Sequence, residues 1–219
     1  MIADPRVWHQ DGGLLVVEKP AGLLCQPGLG PALADSLLTR LRRQWPAAQL
    51  VHRLDRDTSG LLLLARDADA HRALSRAFAE RRVRKTYRAD VWGQPAGLWG
   101  RIEAPLARAR CQPPQHRVHP LGRPSRTLWR RLASDGATTR LALRPRTGRS
   151  HQLRVHLAWL GHPILGDPLY GCAAARALAP GLRLHALRLG FPHPQHGRWV
   201  ELAVEPPWQA SPLAPVAPA

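Results

Sequence analysis

The chain predicts an α+β fold, and three observations carry the prediction. Strand-like stretches, either solid apolar runs or strict alternation, recur from the N-terminal quarter to the last twenty residues. A few segments of helical periodicity lie among them, each short enough to be a surface helix. No apolar run approaches the eighteen residues of a membrane span, and the hydrophobic fraction of 44% is ample for a core.

Leu14 to Lys19 (LLVVEK) reads as a strand, closed by Pro20-Ala21-Gly22 as a turn. Leu33, Leu37, Leu38, Leu41 and Trp45 fall at helical spacing with Arg40, Arg42 and Arg43 on the remaining face, and Pro46 stops the helix. Leu61 to Leu64 is a buried strand by length and flanks. Ala70, Ala73, Leu74, Ala77 and Phe78 make the apolar stripe of an amphipathic helix with Asp67 or Asp69 as its cap. Lys85 to Gly93 alternates, with Tyr87, Ala89 and Val91 on one face and Arg88, Asp90 and Trp92 on the other. Residues 106 to 126 are too polar for core and too long for a tight turn, so they read as an exposed loop or ribbon with positive charge at its tip. Strands are expected over Thr127 to Leu132 and Thr139 to Arg144. A short helix with Leu153, Leu157 and Leu160 buried follows the turn Thr147-Gly148-Arg149-Ser150. Arg198 to Glu205 alternates as a last strand, and the Pro/Ala-rich stretch from Pro206 is expected to fray.

Charge narrows the function. Lys+Arg number 32 against 15 Asp+Glu, for a formal charge of +17, and the only lysines are Lys19 and Lys85. Such an excess favours a polyanionic partner, because every phosphate contact releases counterions. Arginine also stacks on bases and grips phosphate in a fork. The three cysteines, Cys25, Cys111 and Cys172, form no CxxC pair, which argues against a disulfide framework or zinc knuckle. Among the 11 histidines, His151, His156 and His162 are spaced five and six apart, which on a helix does not bring rings to one face. With no HExxH companion, no metal site is expected. His52 is expected to orient the loop beside it through a hydrogen bond, and His9, His116, His119 and His196 to lie at the surface. The N-terminus lacks the apolar core of a signal peptide, so a soluble, reduced, cytoplasmic protein is expected.

Chemistry concentrates in Val51 to Asp67, VHRLDRDTSGLLLLARD. One acid, Asp55, stands between Arg53 and Arg56, followed by Asp57-Thr58-Ser59-Gly60 and then the leucine strand. A charged loop at the mouth of a buried strand is a common place for catalysis. A surface turn with an Asp–Arg pair has the same local pattern.

The loop HRLDRDTSG resembles the signature loop of the RluA-type RNA pseudouridine synthases. The resemblance continues in EKPAGLLCQPG, in the K-x-Y strand at Lys85 to Tyr87, in RTGRSHQLRVHLAWLGHPILGDPLYG from Arg146 to Gly171, and in ARALAP with the later FPHP. It spans about residues 10 to 205. Within the family, the TGRSHQLRVH, LGHPILGD and ARALAP segments resemble the branch that modifies both large-subunit rRNA and tRNA, whereas Arg56-Asp57 is the general family form. The resemblance implies a mixed, mainly antiparallel central sheet flanked by helices and loops. It also implies a catalytic domain over 13–205, after a short N-terminal extension (1–12) and before a Pro/Ala-rich tail (206–219), with no room for an S4-like RNA-binding domain.

The resemblance assigns roles as well. Asp55 is the catalytic aspartate, acting as nucleophile at C1′ or base at C2′, two routes that the sequence does not separate. Arg154 is its cationic partner, keeping the carboxylate charged and its rotamer fixed, with Arg149 as the other candidate. Tyr87, a core tyrosine by periodicity alone, becomes the ring that stacks on the target uracil. Arg53 fills the space left by the flipped nucleotide, and Leu153 walls the pocket. Arg56, Arg149 and Lys85 contact RNA. No cofactor is expected, since the isomerisation involves no redox change, and a monomer is expected. A family member restricted to rRNA and a non-catalytic RNA-binding protein are the other readings, the second needing neither Asp55 nor Tyr87. A nuclease would want clustered acids for metals, and a glycosidase a carboxylate pair.

Overall fold

The computed structural model describes residues 2–109 and 115–208. The α+β expectation is met: strands β1 to β12 and helices α1 to α4 alternate irregularly, and the large sheet is mixed but mostly antiparallel. The chain divides into two compact units, Met1–Lys85 with Ala186–Pro206, and Thr86–His185 with Pro207–Ala219.

The first unit is built on a buried strand. β2 (Leu14–Lys19) pairs with β1 (Arg6–Gln10) on one side and with β4 (Ser59–Ala65) on the other. β3 (Gln49–Leu50) also pairs with β4, while β11 (Leu184–Pro192) lies beside β4 and carries β12 (Trp199–Ala203). Every residue of β4 is buried, which is why its leucines show no alternation. Helix α1 (Leu37–Leu41) opens with a capping box between Ser36 and Thr39, and the chain leaves it before Pro46. Helix α2 (Ala68–Ala79) is capped by Asp67, whose side chain accepts from the Ala70 amide at 2.7 Å. Its stripe of Ala70 and Leu74 closes over Leu61, Leu63, Leu14 and Val16, with Leu189 and Phe191 completing the core.

The second unit holds β5 (Arg84–Trp92, from Thr86 on), β10 (Thr138–Pro145), β9 (Arg126–Ser134) and β6 (Trp99–Glu103), antiparallel in that order. On one face Tyr87, Ala89, Val91, Leu141, Leu143, Thr127, Trp129 and Ile102 are all buried. Helix α3 (Gln152–Trp159) covers that face, its His156 Nδ1 meeting the Thr127 hydroxyl at 2.9 Å. The 106–126 stretch is a ribbon, β7 (Leu106–Arg108) against β8 (His116–Val118). The positive tip expected there, with Cys111, falls on 110–114, outside the described residues, as does most of the Pro/Ala-rich tail. Helix α4 (Ala173–Ala177) precedes β11.

Candidate active site

The loop that carries Asp55 runs from Val51 to Thr58 and is fastened from three directions within the first unit. Lys19, at the end of β2, is wholly buried, and its Nζ donates to the carbonyls of Pro20, Leu23 and Arg56, each at 2.8 Å. Cys25 Sγ donates to the Leu54 carbonyl at 3.2 Å and accepts from the Leu54 amide at 3.3 Å. His52 Nε2 accepts from the Leu63 amide at 3.0 Å, while its ring lies 4.7 Å from that of Phe78. A turn closes between the Thr58 amide and the Asp55 carbonyl. Leu54, Thr58 and Ser59 are buried on either side, Asp55 itself is half-buried, and Arg53 and Arg56 are exposed.

Gly60 makes the step from loop to strand. Its φ of 110° suits glycine alone, and a Cβ there would sit 2.5 Å from the Ala186 backbone nitrogen and oxygen. Asp57 accepts from Arg56 Nε at 3.1 Å, in keeping with DTSG as loop geometry.

Burial dominates the electrostatics around this loop. Desolvation pulls the Lys19 ammonium down to about 8, against the opposing pull of Cys25, Asp57 and Asp55. Desolvation, helped by the charge of Lys85, holds the His52 imidazole at about 3, so the ring is a neutral acceptor. Lys85, expected to meet RNA, is half-buried with its ammonium 5.7 Å from the Phe78 ring centre, and burial lowers its affinity for a proton.

In the second unit, Tyr87 stands in β5 opposite Leu143, only 8% exposed. Leu153 and Arg154 are buried on α3. Arg154 Nε and Nη2 form a fork on the Asp167 carboxylate at 2.8 and 2.6 Å, with both side chains almost wholly out of solvent. Asp167 also accepts from the Leu169 and Tyr170 amides, and the Tyr170 ring lies 5.2 Å from the Arg154 guanidinium. The Tyr170 hydroxyl meets His151 Nδ1 at 2.8 Å and accepts from the His116 amide at 2.9 Å. That contact accompanies His151 at φ 54°, the left-handed residue from which α3 starts. His116, placed at the surface by its sequence surroundings, is thus half-buried and structural. His9, also placed there, is 39% exposed by side chain and shares Asp11 Oδ2 with His193.

Gln152 ties the Thr147–Ser150 turn to the helix: its Oε1 accepts from the Thr147 hydroxyl and the Arg149 amide, and its Nε2 donates to the Arg126 carbonyl. Arg149 is exposed. With Arg108, Arg123 and His116 it borders a cavity of about 460 Å³ beside the ribbon, where Leu106 and Leu121 add apolar surface. Among the described residues no three His, Cys, Asp or Glu side chains are grouped as metal ligands.

The structural roles of Lys19, Cys25, Asp167 and Tyr170 escaped the sequence reading. Lys19 is the last residue of the strand read over Leu14 to Lys19, and Asp167 sits between the chain-breaking Gly166 and Pro168. The signal that could have found Lys19 and Asp167 is the same for both: a charge inside an otherwise apolar or motif-bearing stretch.

Residues 13–159 match the sequence profile of the RNA pseudouridylate synthase family. The chain belongs to that family. It is therefore an isomerase that converts uridine in RNA to pseudouridine. It is 45% identical over 194 residues to the dual-specificity RNA pseudouridine synthase RluA of Salmonella typhi, covering 87% of this chain and 88% of the relative. The protein of the same name from Escherichia coli K12 gives the same figures, and that from Pasteurella multocida is 42% identical over 200 residues, covering 90% and 91%. Two solved human structures share the fold. RNA pseudouridylate synthase domain containing 1 has a TM-score of 0.77 at 28% identity, over 97% of this chain and 89% of the other. Domain containing 4 has a TM-score of 0.73 at 27% identity, over 92% and 88%.

Proposed function

We propose that this pseudouridine synthase has dual specificity, modifying a stem-loop of large-subunit rRNA and the tRNA anticodon stem-loop. The observation that carries the proposal is the similarity to the RluA proteins over nearly the full length of both chains. The catalytic domain is 13–205, and the enzyme works as a cytoplasmic monomer. Among the described residues no helix is long and apolar enough to cross a membrane.

The reaction breaks N1–C1′, turns the uracil, and joins C5 to C1′; the C5 hydrogen leaves to solvent and N1 gains a proton. Asp55 supplies the carboxylate at the sugar, as nucleophile at C1′ or base at C2′. Arg154, pre-set by its fork to Asp167, serves as the cationic partner, since a guanidinium already held at two nitrogens loses no rotamer entropy in the reaction. The target base must leave its stack at a cost of about a few kcal/mol. Stacking on Tyr87 returns about 1–3 kcal/mol. Arg53 takes the vacated place, Leu153 walls the base, and Arg56, Arg149 and Lys85 serve the RNA backbone. Mapping pseudouridine in RNA from cells with and without the gene tests the assignment. Loss of a site in both tRNA and large-subunit rRNA supports it; loss in rRNA alone assigns the protein to a single-substrate branch.

A further inference from the structure

The second unit presents a sheet face that the reaction does not use. It is opposite the face of Tyr87 and α3, and it reaches the terminal strand β6. Register places Trp99 across from Arg130, Arg101 across from Leu128, and Glu103 across from Arg126, with Arg144 of β10 on the far side of Leu128. Period-two alternation therefore sets Trp99, Arg101, Arg126, Leu128, Arg130 and Arg144 on one surface. Their inward neighbours Ile102, Thr127, Trp129 and Leu143 are buried, which fixes which side faces solvent. Trp99 is 76% exposed, and all four arginines are exposed. The acid on this patch is Glu103, paired with Arg126 at 2.7 Å.

Charge on a terminal strand can serve merely to discourage edge pairing. That role explains arginine but not a large ring left in water at the very edge. An aromatic platform among guanidinium groups is the composition that holds a nucleic acid strand, with bases stacked on the ring and phosphates on the cations. The position of Gly100 supports a flat surface: the Trp129 ring lies against it on the inner face, within 2.7 Å of where a Cβ would be.

We propose that this face is a second RNA-binding surface, which takes a segment of the substrate flanking the modified stem-loop. The base of that segment stacks on Trp99, and its backbone runs along Arg101, Arg130 and Arg144. The inference rests on RNA as substrate and adds a contact remote from Tyr87.

The test compares Trp99→Ala and Arg101→Glu/Arg130→Glu with wild type on two RNAs: a minimal anticodon stem-loop, and the same stem-loop within full-length tRNA. Turnover and filter binding are both measured. Because these side chains are exposed, melting temperatures should match wild type. The expected result is a KM and Kd about tenfold higher for the full-length RNA, with kcat unchanged and the minimal stem-loop unaffected. Arg130→Lys, which keeps a cation, should bind nearly as wild type. Equal losses on both RNAs, or no loss on either, would overturn the second surface. Should wild type fail to turn over either RNA, the substrate assignment falls, and the difference in binding between the two RNAs still decides the surface.

Discussion

Asp55 sits on a loop held through its backbone by Lys19 and Cys25, and by the ring of His52. His52 offers the cleanest probe. Its ring is held neutral by burial at about 3, against an ordinary 6.5. Between those values the unfolded chain binds a proton that the folded chain refuses. The stabilisation is whole above about pH 6.5 and is lost as pH falls toward 3, by up to about 1.4 kcal/mol per unit. His156, also lowered by burial, adds in the same direction. Urea titrations between pH 7 and 5 should show falling stability, and His52→Gln, which keeps an acceptor and cannot titrate, should flatten part of the slope. Tyr87 is tested by a pair of substitutions. Tyr87→Phe keeps the ring and should bind RNA normally while turning over more slowly. Tyr87→Ala should lose turnover by about tenfold or more, as expected from the loss of a stack; normal turnover would remove Tyr87 from the site.

Helix α3 and the 161–171 turn that follows it act together through the Arg154–Asp167 fork. Removing one member of a buried pair typically costs about 3–5 kcal/mol. Asp167→Ala should therefore lower stability by about that amount in chemical denaturation and reduce kcat with little change in KM. The strands and helices most legible in the sequence were those whose burial is one-sided or complete: the leucines of β4, the stripe of α2, the alternation of β5 and β12. β1 and β6 escaped notice because a short, half-polar strand such as RVWHQ or WGRIE has no apolar run, and only its neighbour in the sheet makes it a strand. The motif residues Asp55, Tyr87 and Arg154 were legible through the resemblance. The Asp167 fork was not, since its partnership is a matter of which side chains end up in the dark together, and nothing in GDP spells that.

With a formal charge of +17 the chain is set against a polyanion as a whole. Part of that charge is spent internally: Asp90 takes Arg140 in a fork, with Arg183 at 3.5 Å. Arg53, Arg56, Arg149 and the arginines of the β6–β9 face are exposed. Such a distribution predicts strongly salt-dependent binding, with RNA affinity falling about a thousandfold or more between 50 and 200 mM salt if six or more phosphates are neutralised. Fluorescence-anisotropy titrations over that range measure the slope, and a flat response would mean that the charge is not used on RNA.

The central claim is that the Asp55 carboxylate performs the isomerisation, and tritium release from RNA labelled at uridine C5 reads that step directly. Wild-type protein should release label from an unmodified anticodon stem-loop transcript, while Asp55→Asn should release none and bind the same transcript with unchanged affinity. Release by Asp55→Asn near the wild-type rate would contradict the account.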